Sequence, residues 1–385
     1  MKTPALVLLA LALLAFSSCK KDSVTESYLR GGNALINTTD GNMLIAGYNI
    51  GGNGSFDGYL LKVSQAGDVL WSNSYGSTNT DALYGLINAT GGGYVATGFI
   101  NTEYDNHPNL VLLKTSDQGD KQWLTTLGDT SFCQGFGVAA TSDGGYIGCG
   151  YIQKNLYSDR DIYLVKVNSE GVKVWAKKYG SKGASYTDAI NDEAYNIIPD
   201  GDSAFYVTGS YSGNVSCCGK TFLMKINSAG DSLWTIIYDL GIGFSMVLTS
   251  DRNIVIGGSD AGNGTDISML KTDAMGVKIW KKTFGSTGFD FGTKVIQTAD
   301  GGYAITGTTT NSSTSEDIVL IKTDASGSSV WTKTFGGSSI EQGYGLVQHD
   351  DGGYSIAGTS NTGGSFIYLN RTDANGVETW QKNLK

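Results

Sequence analysis

Seven tryptophans at near-even spacing, seven glycines each four residues ahead of one, and four short β-type segments per interval predict an all-β fold. The architecture they imply is a seven-bladed β-propeller with four antiparallel strands per blade. The tryptophans are Trp71, Trp123, Trp175, Trp234, Trp280, Trp331 and Trp380, and the chain of 385 residues has no others. The glycines are Gly67, Gly119, Gly171, Gly230, Gly276, Gly327 and Gly376. A unit repeated about every 50 residues cannot bury its own apolar face, so neighbouring units must cover it. The composition agrees: 55 glycines against 3 prolines suit many tight turns, and 40% hydrophobic residues can supply a core shared between units.

The sixth unit shows the elements in order. Strand A is KVIQT (294–298), and an A-D-G-G turn leads to strand B, YAITGT (303–308). A longer polar loop precedes strand C, DIVLIKT (317–323), and a D-A-S-G turn gives strand D, VWTKTF (330–335). Each segment is short, rich in β-branched and aromatic residues, and bounded by Gly, Asp, Asn or Ser. The A–B turns carry Gly41-Asn42, Gly92-Gly93, Gly144-Gly145, Gly301-Gly302 and Gly352-Gly353, residues that tolerate positive φ. In the fifth unit, Arg252-Asn253 replaces them, and Asn253 is expected to take that conformation. The D-G-G triplets read as turns. EF-hand ligand spacing is missing, so no metal is expected.

The first unit begins with strand A and the last ends with strand D, so the ring should close without a strand shared between the termini. Contacts from the last tryptophan to the first blade would then seal it. A β-solenoid is the structural alternative, but it calls for atypical capping ends. A tryptophan buries on the order of 200 Å². Its removal from such a column is expected to cost about 3–5 kcal/mol.

The G-x-x-x-W spacing resembles the tryptophan-docking motif of quinoprotein propellers, in which an outer-strand Trp packs over a glycine of the next blade. The fuller pattern of G-Y-x-I-x-G, D-I-x-L-I-K-T-D and W-x-K-T-F-G-G is similar to the SBBP-type bacterial β-propeller repeat. That resemblance covers residues 30–385 and implies a fold rather than an activity.

Residues 1–19 read as an export signal: Lys2, an apolar run ALVLLALALLAF, then Ser17 and Ser18 before Cys19. F-S-S-C resembles a bacterial lipobox, which implies a palmitate-bearing lipoprotein with Cys19 as its lipidated first residue. Residues 20–29 would be a polar tether and 30–385 the propeller. Lys20 after the cysteine implies, by the same resemblance, an outer-membrane lipid anchor in a Gram-negative cell envelope. A net charge of −9 excludes a nucleic-acid partner, since phosphate binding needs clustered Lys and Arg.

Alternating strands place the A–B and C–D turns on one face and the B–C and D–A connections on the other. The second set varies in length, and binding tends to reside on variable loops of a rigid scaffold. The ligand-binding candidates there are Tyr104, Asp105, His107, Tyr157, Asp159, Arg160, Tyr186 and Asp188. Aromatic rings beside carboxylates and an arginine suit a carbohydrate, a peptide or an envelope protein.

Two further columns lie at the start of strand A. One is acidic (Asp81, Asp192, Asp290 and Glu341, with Cys133 and Arg30 as outliers), and its members are read as caps of the links between blades. The other is aromatic: Tyr84, Phe136, Tyr195, Phe244 and Tyr344. A lysine column in strand C (Lys62, Lys114, Lys166, Lys225, Lys271 and Lys322) is expected to lay its stems on apolar surface with the charges in water.

His107 and His349 fall on opposite faces, which disfavours His-dependent nucleophiles and multi-His metal sites. Cys133 and Cys149 lie too far apart on a hairpin to bridge, and Cys217-Cys218 is a vicinal pair. No catalytic residue and no cofactor is expected. The reading is therefore a non-enzymatic binding module. The alternatives are a glycan-active hydrolase or lyase, a quinoprotein-like enzyme, or a scaffold subunit of an outer-membrane assembly.

Overall fold

A computed structural model describes residues 31–384 apart from 51–54, 102–106, 129–130, 156–157, 181–190, 213–218, 261–265, 286–287, 313–314 and 362–365. The chain forms seven four-stranded antiparallel sheets. They are β1–β4 (residues 31–75), β5–β8 (82–127), β9–β12 (132–179), β13–β16 (193–238), β17–β20 (243–284), β21–β24 (290–335) and β25–β28 (341–384). Strand order within each sheet follows the chain from the axis outward. Strand β21 begins at Asp290, four residues before KVIQT, because the segment preceding it also pairs with β22 (Tyr303–Ser312).

The turn glycine of G-x-x-x-W meets two demands at once. In the first C–D turn Gly67 donates to Ser64 O at 2.9 Å with φ +76, a conformation that costs an L side chain energy. Its bare face also receives a tryptophan: a Cβ there would lie 2.8 Å from the Trp380 ring. The same relation joins Trp71 to Gly119, Trp123 to Gly171, Trp175 to Gly230, Trp234 to Gly276, Trp280 to Gly327 and Trp331 to Gly376. Each tryptophan therefore docks on the following blade. The rings are only half-buried, on the rim of the propeller, so their expected worth falls below that of a core aromatic.

Docking of Trp380 over Gly67 closes the ring. One core cluster unites Leu35, Ile45 and Leu61 of the first blade with Val347, Ile367 and Leu369 of the last. Asn37 donates to Gln348 O at 2.8 Å across the same junction, and Lys382 pairs with Asp68 at 2.8 Å. No strand is shared, since β25 to β28 form their own sheet.

In the fifth blade the positive φ falls on Arg252 (+61), not on Asn253. Arg252 occupies the register of Gly41, and its guanidinium is held by Asp200 at 2.5 Å. A cross-blade ion pair thus accompanies a conformation that glycine supplies elsewhere.

Candidate functional site

Every innermost strand carries one bulge, an extra residue that re-aims its side chain. The register shifts place it at Asn33 in β1 (Gly31–Asn37), Tyr84 in β5 (Ala82–Asn88), Phe136 in β9 (Phe132–Ala140) and Tyr195 in β13 (Glu193–Asp200). It falls at Phe244 in β17 (Gly243–Leu248), Thr293 in β21 (Asp290–Gln297) and Tyr344 in β25 (Glu341–Gln348). The aromatic column of the sequence is this set of bulges. Neighbouring rings touch around the axis: Tyr84 and Phe136 at 5.4 Å between centroids, Phe136 and Tyr195 at 5.1 Å, Tyr195 and Phe244 at 5.1 Å. Burial pushes the Tyr84 and Tyr195 hydroxyls well above their ordinary range. The bulge also explains the last glycine of G-Y-x-I-x-G. Gly47, opposite the first bulge, lies directly against the Gly31 carbonyl, where a Cβ has no room.

The loop candidates divide. Tyr104, Asp105, Tyr157, Tyr186 and Asp188 lie outside the described residues, as do Cys19, Arg30, Cys217 and Cys218. His107 is half-buried with its ring 4.3 Å from Phe132, and Asp159 is half-buried at the entry to β11 (Arg160–Val167). Arg160 is buried. Its guanidinium donates to Glu193 and lies 4.4 Å over the Tyr151 ring, while Tyr195 OH donates to the other Glu193 oxygen at 2.5 Å. Burial opposes the Arg160 charge, but Glu193 and Tyr151 more than offset it. This group joins blades three and four and ends at the collar that the bulge residues form around the axis. Neither Glu193 nor the Arg160 pairing was legible in the sequence, because the partners are 33 residues apart on different sheets.

The acidic column caps the links between blades. Asp81 accepts from Ser77 N at 2.5 Å and Asn101 N at 2.8 Å, Asp192 from Ser212 N at 3.0 Å, and Glu341 from Gly337 N at 3.2 Å. A second acid, at or near the start of the third strand, joins each cap. Asp57 and Asp81 flank Gly76, Asp266 and Asp290 flank Gly285, and Asp317 and Glu341 flank Gly336. Burial pushes Asp81 up to about 6, with Asp57 adding to the rise, and burial also raises Asp57 and Asp161.

The lysine column departs from expectation. Lys62 is 4% exposed, and its ammonium meets Asp40 of the A–B turn at 2.6 Å and Tyr94 OH at 2.9 Å instead of water. The pairing recurs as Lys166–Asp143, Lys225–Asp200, Lys271–Asp251, Lys322–Asp300 and Arg371–Asp351, at 2.5 to 2.8 Å. The stem packs as foreseen, but the turn acid reaches the charge before solvent does. In the second blade the turn has no acid, and Lys114 lies 5.7 Å from the Tyr146 ring centroid.

These acids set opposite pH dependences. Asp81, Asp57 and Asp161 are raised above the unfolded carboxylate value near 3.9, so the folded state binds more protons than the unfolded one between about pH 4 and 6. The Asp81 contribution is complete below about pH 4 and lost as pH rises through about 6, and those of Asp57 and Asp161 run in the same direction. Asp143 and Asp300 lie at about 2 through Lys166, Lys322 and neighbouring hydroxyls, with burial of Asp300 working the other way. Their contribution is present above about pH 4 and lost in more acidic solution. Thermal melts should therefore show the highest melting temperature near pH 4 to 5, with Asp57→Asn flattening the limb between pH 5 and 7. A monotonic fall in melting temperature from pH 7 to 5 would refute this.

Among the described cysteines, Cys133 faces Ile152 and Cys149 faces Gly137 in the hairpin register, so the two buried thiols are not bridged to each other. Burial pushes Cys149 up to about 12. His349 bonds Ser355 Oγ at 2.9 Å in the last blade, and burial holds it down at about 4.

The chain is a seven-bladed β-propeller, and solved propellers match its fold. The Pan2 WD40 domain of Neurospora crassa matches it with a TM-score of 0.55 at 9% identity, over 90% of each chain. Puromycin hydrolase matches with a TM-score of 0.51 at 12% identity, over 91% of this chain and 54% of its own. No family profile matches the sequence, and no curated protein sequence does. One of these neighbours is named as a hydrolase and the other as a WD40 domain, so the fold by itself selects no activity.

Proposed function

We propose that the protein is a lipid-anchored cell-envelope binding module that engages a carbohydrate, peptide or envelope protein with its B–C/D–A face and catalyses no reaction. The observation that carries this reading is the asymmetry of the two faces. On one, the A–B and C–D turns repeat nearly unchanged around the ring, closed by the same pair of backbone hydrogen bonds except at the A–B turn of the fourth blade. On the other, the connections differ in length and are longest from the second to the fourth blade, where the buried Arg160–Glu193–Tyr195 cluster forms a base between the third and fourth. Such a base limits the ordering cost of binding. The SBBP resemblance and the lipobox at Cys19 support the envelope assignment.

Glycan and peptide arrays probed with the chain, and with a variant whose 181–190 segment is replaced by a Gly-Ser link, test the binding face. Selective binding that the variant loses by tenfold or more, at unchanged melting temperature, is the expected result. Turnover of any arrayed glycan would remove the non-enzymatic assignment. Incorporation of a palmitate analogue that Cys19→Ser abolishes would establish the anchor, and equal labelling of both would dismiss it.

A further inference from the structure

Directly after the bulge, the inward register of the seven innermost strands holds Ala34, Gly85, Gly137, Asn196, Ser245, Lys294 and Gly345. Six are small and uncharged. Lys294 is the one cation of this tier, and it follows Thr293, one of the two collar members that are not aromatic. The tier packs closely between blades: Gly137 faces the backbone of Tyr195 and Asn196, and Gly345 faces that of Ala34 and Leu35. Asn196 accepts from Met246 N at 3.1 Å and Ser245 from Val295 N at 2.9 Å. A lysine can make neither of those bonds, because it only donates.

Lys294 is half-buried, and burial pulls its pKa below the ordinary lysine range. Tyr84, Phe136, Phe244 and Tyr344 in the tier above are likewise enclosed yet keep some contact with solvent. Burial first, and Tyr344 among its neighbours, raise the Tyr84 hydroxyl.

We propose that Lys294 and these rings line a solvent-filled passage along the propeller axis that binds a small organic monocarboxylate, its apolar or aromatic body held in the collar and its carboxylate on Lys294 Nζ. One ammonium matches one negative charge, and a dianion would bring a second charge with no partner. Five aromatic rings favour a flat or slender apolar body over a sugar-like one. The lysine itself excludes a cationic ligand, which an aromatic cage alone would welcome. The site is separate from the loop face, so either can fail without the other.

Calorimetry and thermal shift at neutral pH with benzoate, phenylacetate and hexanoate, set against benzyl alcohol and benzylammonium, test it. The carboxylates are expected to bind with dissociation constants below about 1 mM and at least about tenfold more tightly than benzyl alcohol, with benzylammonium inert. Lys294→Met should erase the preference for benzoate over benzyl alcohol, and Phe136→Leu should weaken both. Binding should also decline as pH rises through the lowered Lys294 value, because the neutral amine loses the charge pairing.

The native protein supplies an arm that needs no variant: after reductive methylation with labelled formaldehyde, the Lys294 NMR signal should move on addition of benzoate. Failure of all three carboxylates to bind, an unmoved Lys294 signal, or unchanged benzoate preference in Lys294→Met would each overturn the site. Loss of loop-face binding in the array experiment would leave it standing.

Discussion

Glu193→Ala is expected to destabilise the propeller by about 3–5 kcal/mol, the largest single-site loss in the molecule. The carboxylate is 4% exposed and accepts from the Arg160 guanidinium on one oxygen and from Tyr195 OH at 2.5 Å on the other. Its removal leaves a buried guanidinium over the Tyr151 face without its carboxylate, and a cation–π contact returns about 2 kcal/mol at best. Glu193→Gln keeps the shape and one acceptor, so it should lose roughly half as much. The double variant Arg160→Met/Glu193→Leu should recover most of the loss, since no charge is then stranded. Urea titrations with unchanged slope would give these differences directly. A Glu193→Ala loss below about 1 kcal/mol would mean that water or a rearranged loop already solvates Arg160.

Trp175→Ala and Trp380→Ala should each cost about 2–3 kcal/mol, less than a fully buried tryptophan because both rings are half-exposed. Trp175 stacks over Gly230 and donates to Ser228 O at 3.2 Å, while Trp380 stacks over Gly67 of the first blade. Equality is the informative result. Trp380 is five residues from the end of the sequence, and in an open array its loss would be nearly silent. In a closed ring it opens the seam where Leu35 and Val347 share a core. Melting temperatures of the two variants compare them, and a Trp380→Ala loss under a third of that of Trp175→Ala would contradict the closed seam.

The blade count, the strand order and the docking of each tryptophan on a turn glycine were legible because their signals are local and repeated. The candidate site was legible only in part. The aromatic column was visible as a repeat, but its common cause, one bulge per inner strand, depends on register with the second strand. Arg160 drew attention as a loop residue, and its burial depends on Glu193 of another blade. Lys294 gave no signal, since a lysine at the edge of a strand resembles any solvated lysine until six other blades enclose it.

By itself, the sequence determined a seven-fold ring of four-stranded units, where each turn falls and which glycine each tryptophan needs. Those features follow from spacings of four to about 50 residues, and every unit repeats them. Only the tertiary structure decided where the charges go. Lys62 turns inward because Asp40 lies across its own hairpins, and Asp57 meets Asp81 because two blades converge on Gly76. Asn37 reaches Gln348 across 311 residues because the ring closes. Such contacts join chain segments whose proximity exists only once the blades have packed, and the energy of a charge is set by what surrounds it rather than by its place in the chain.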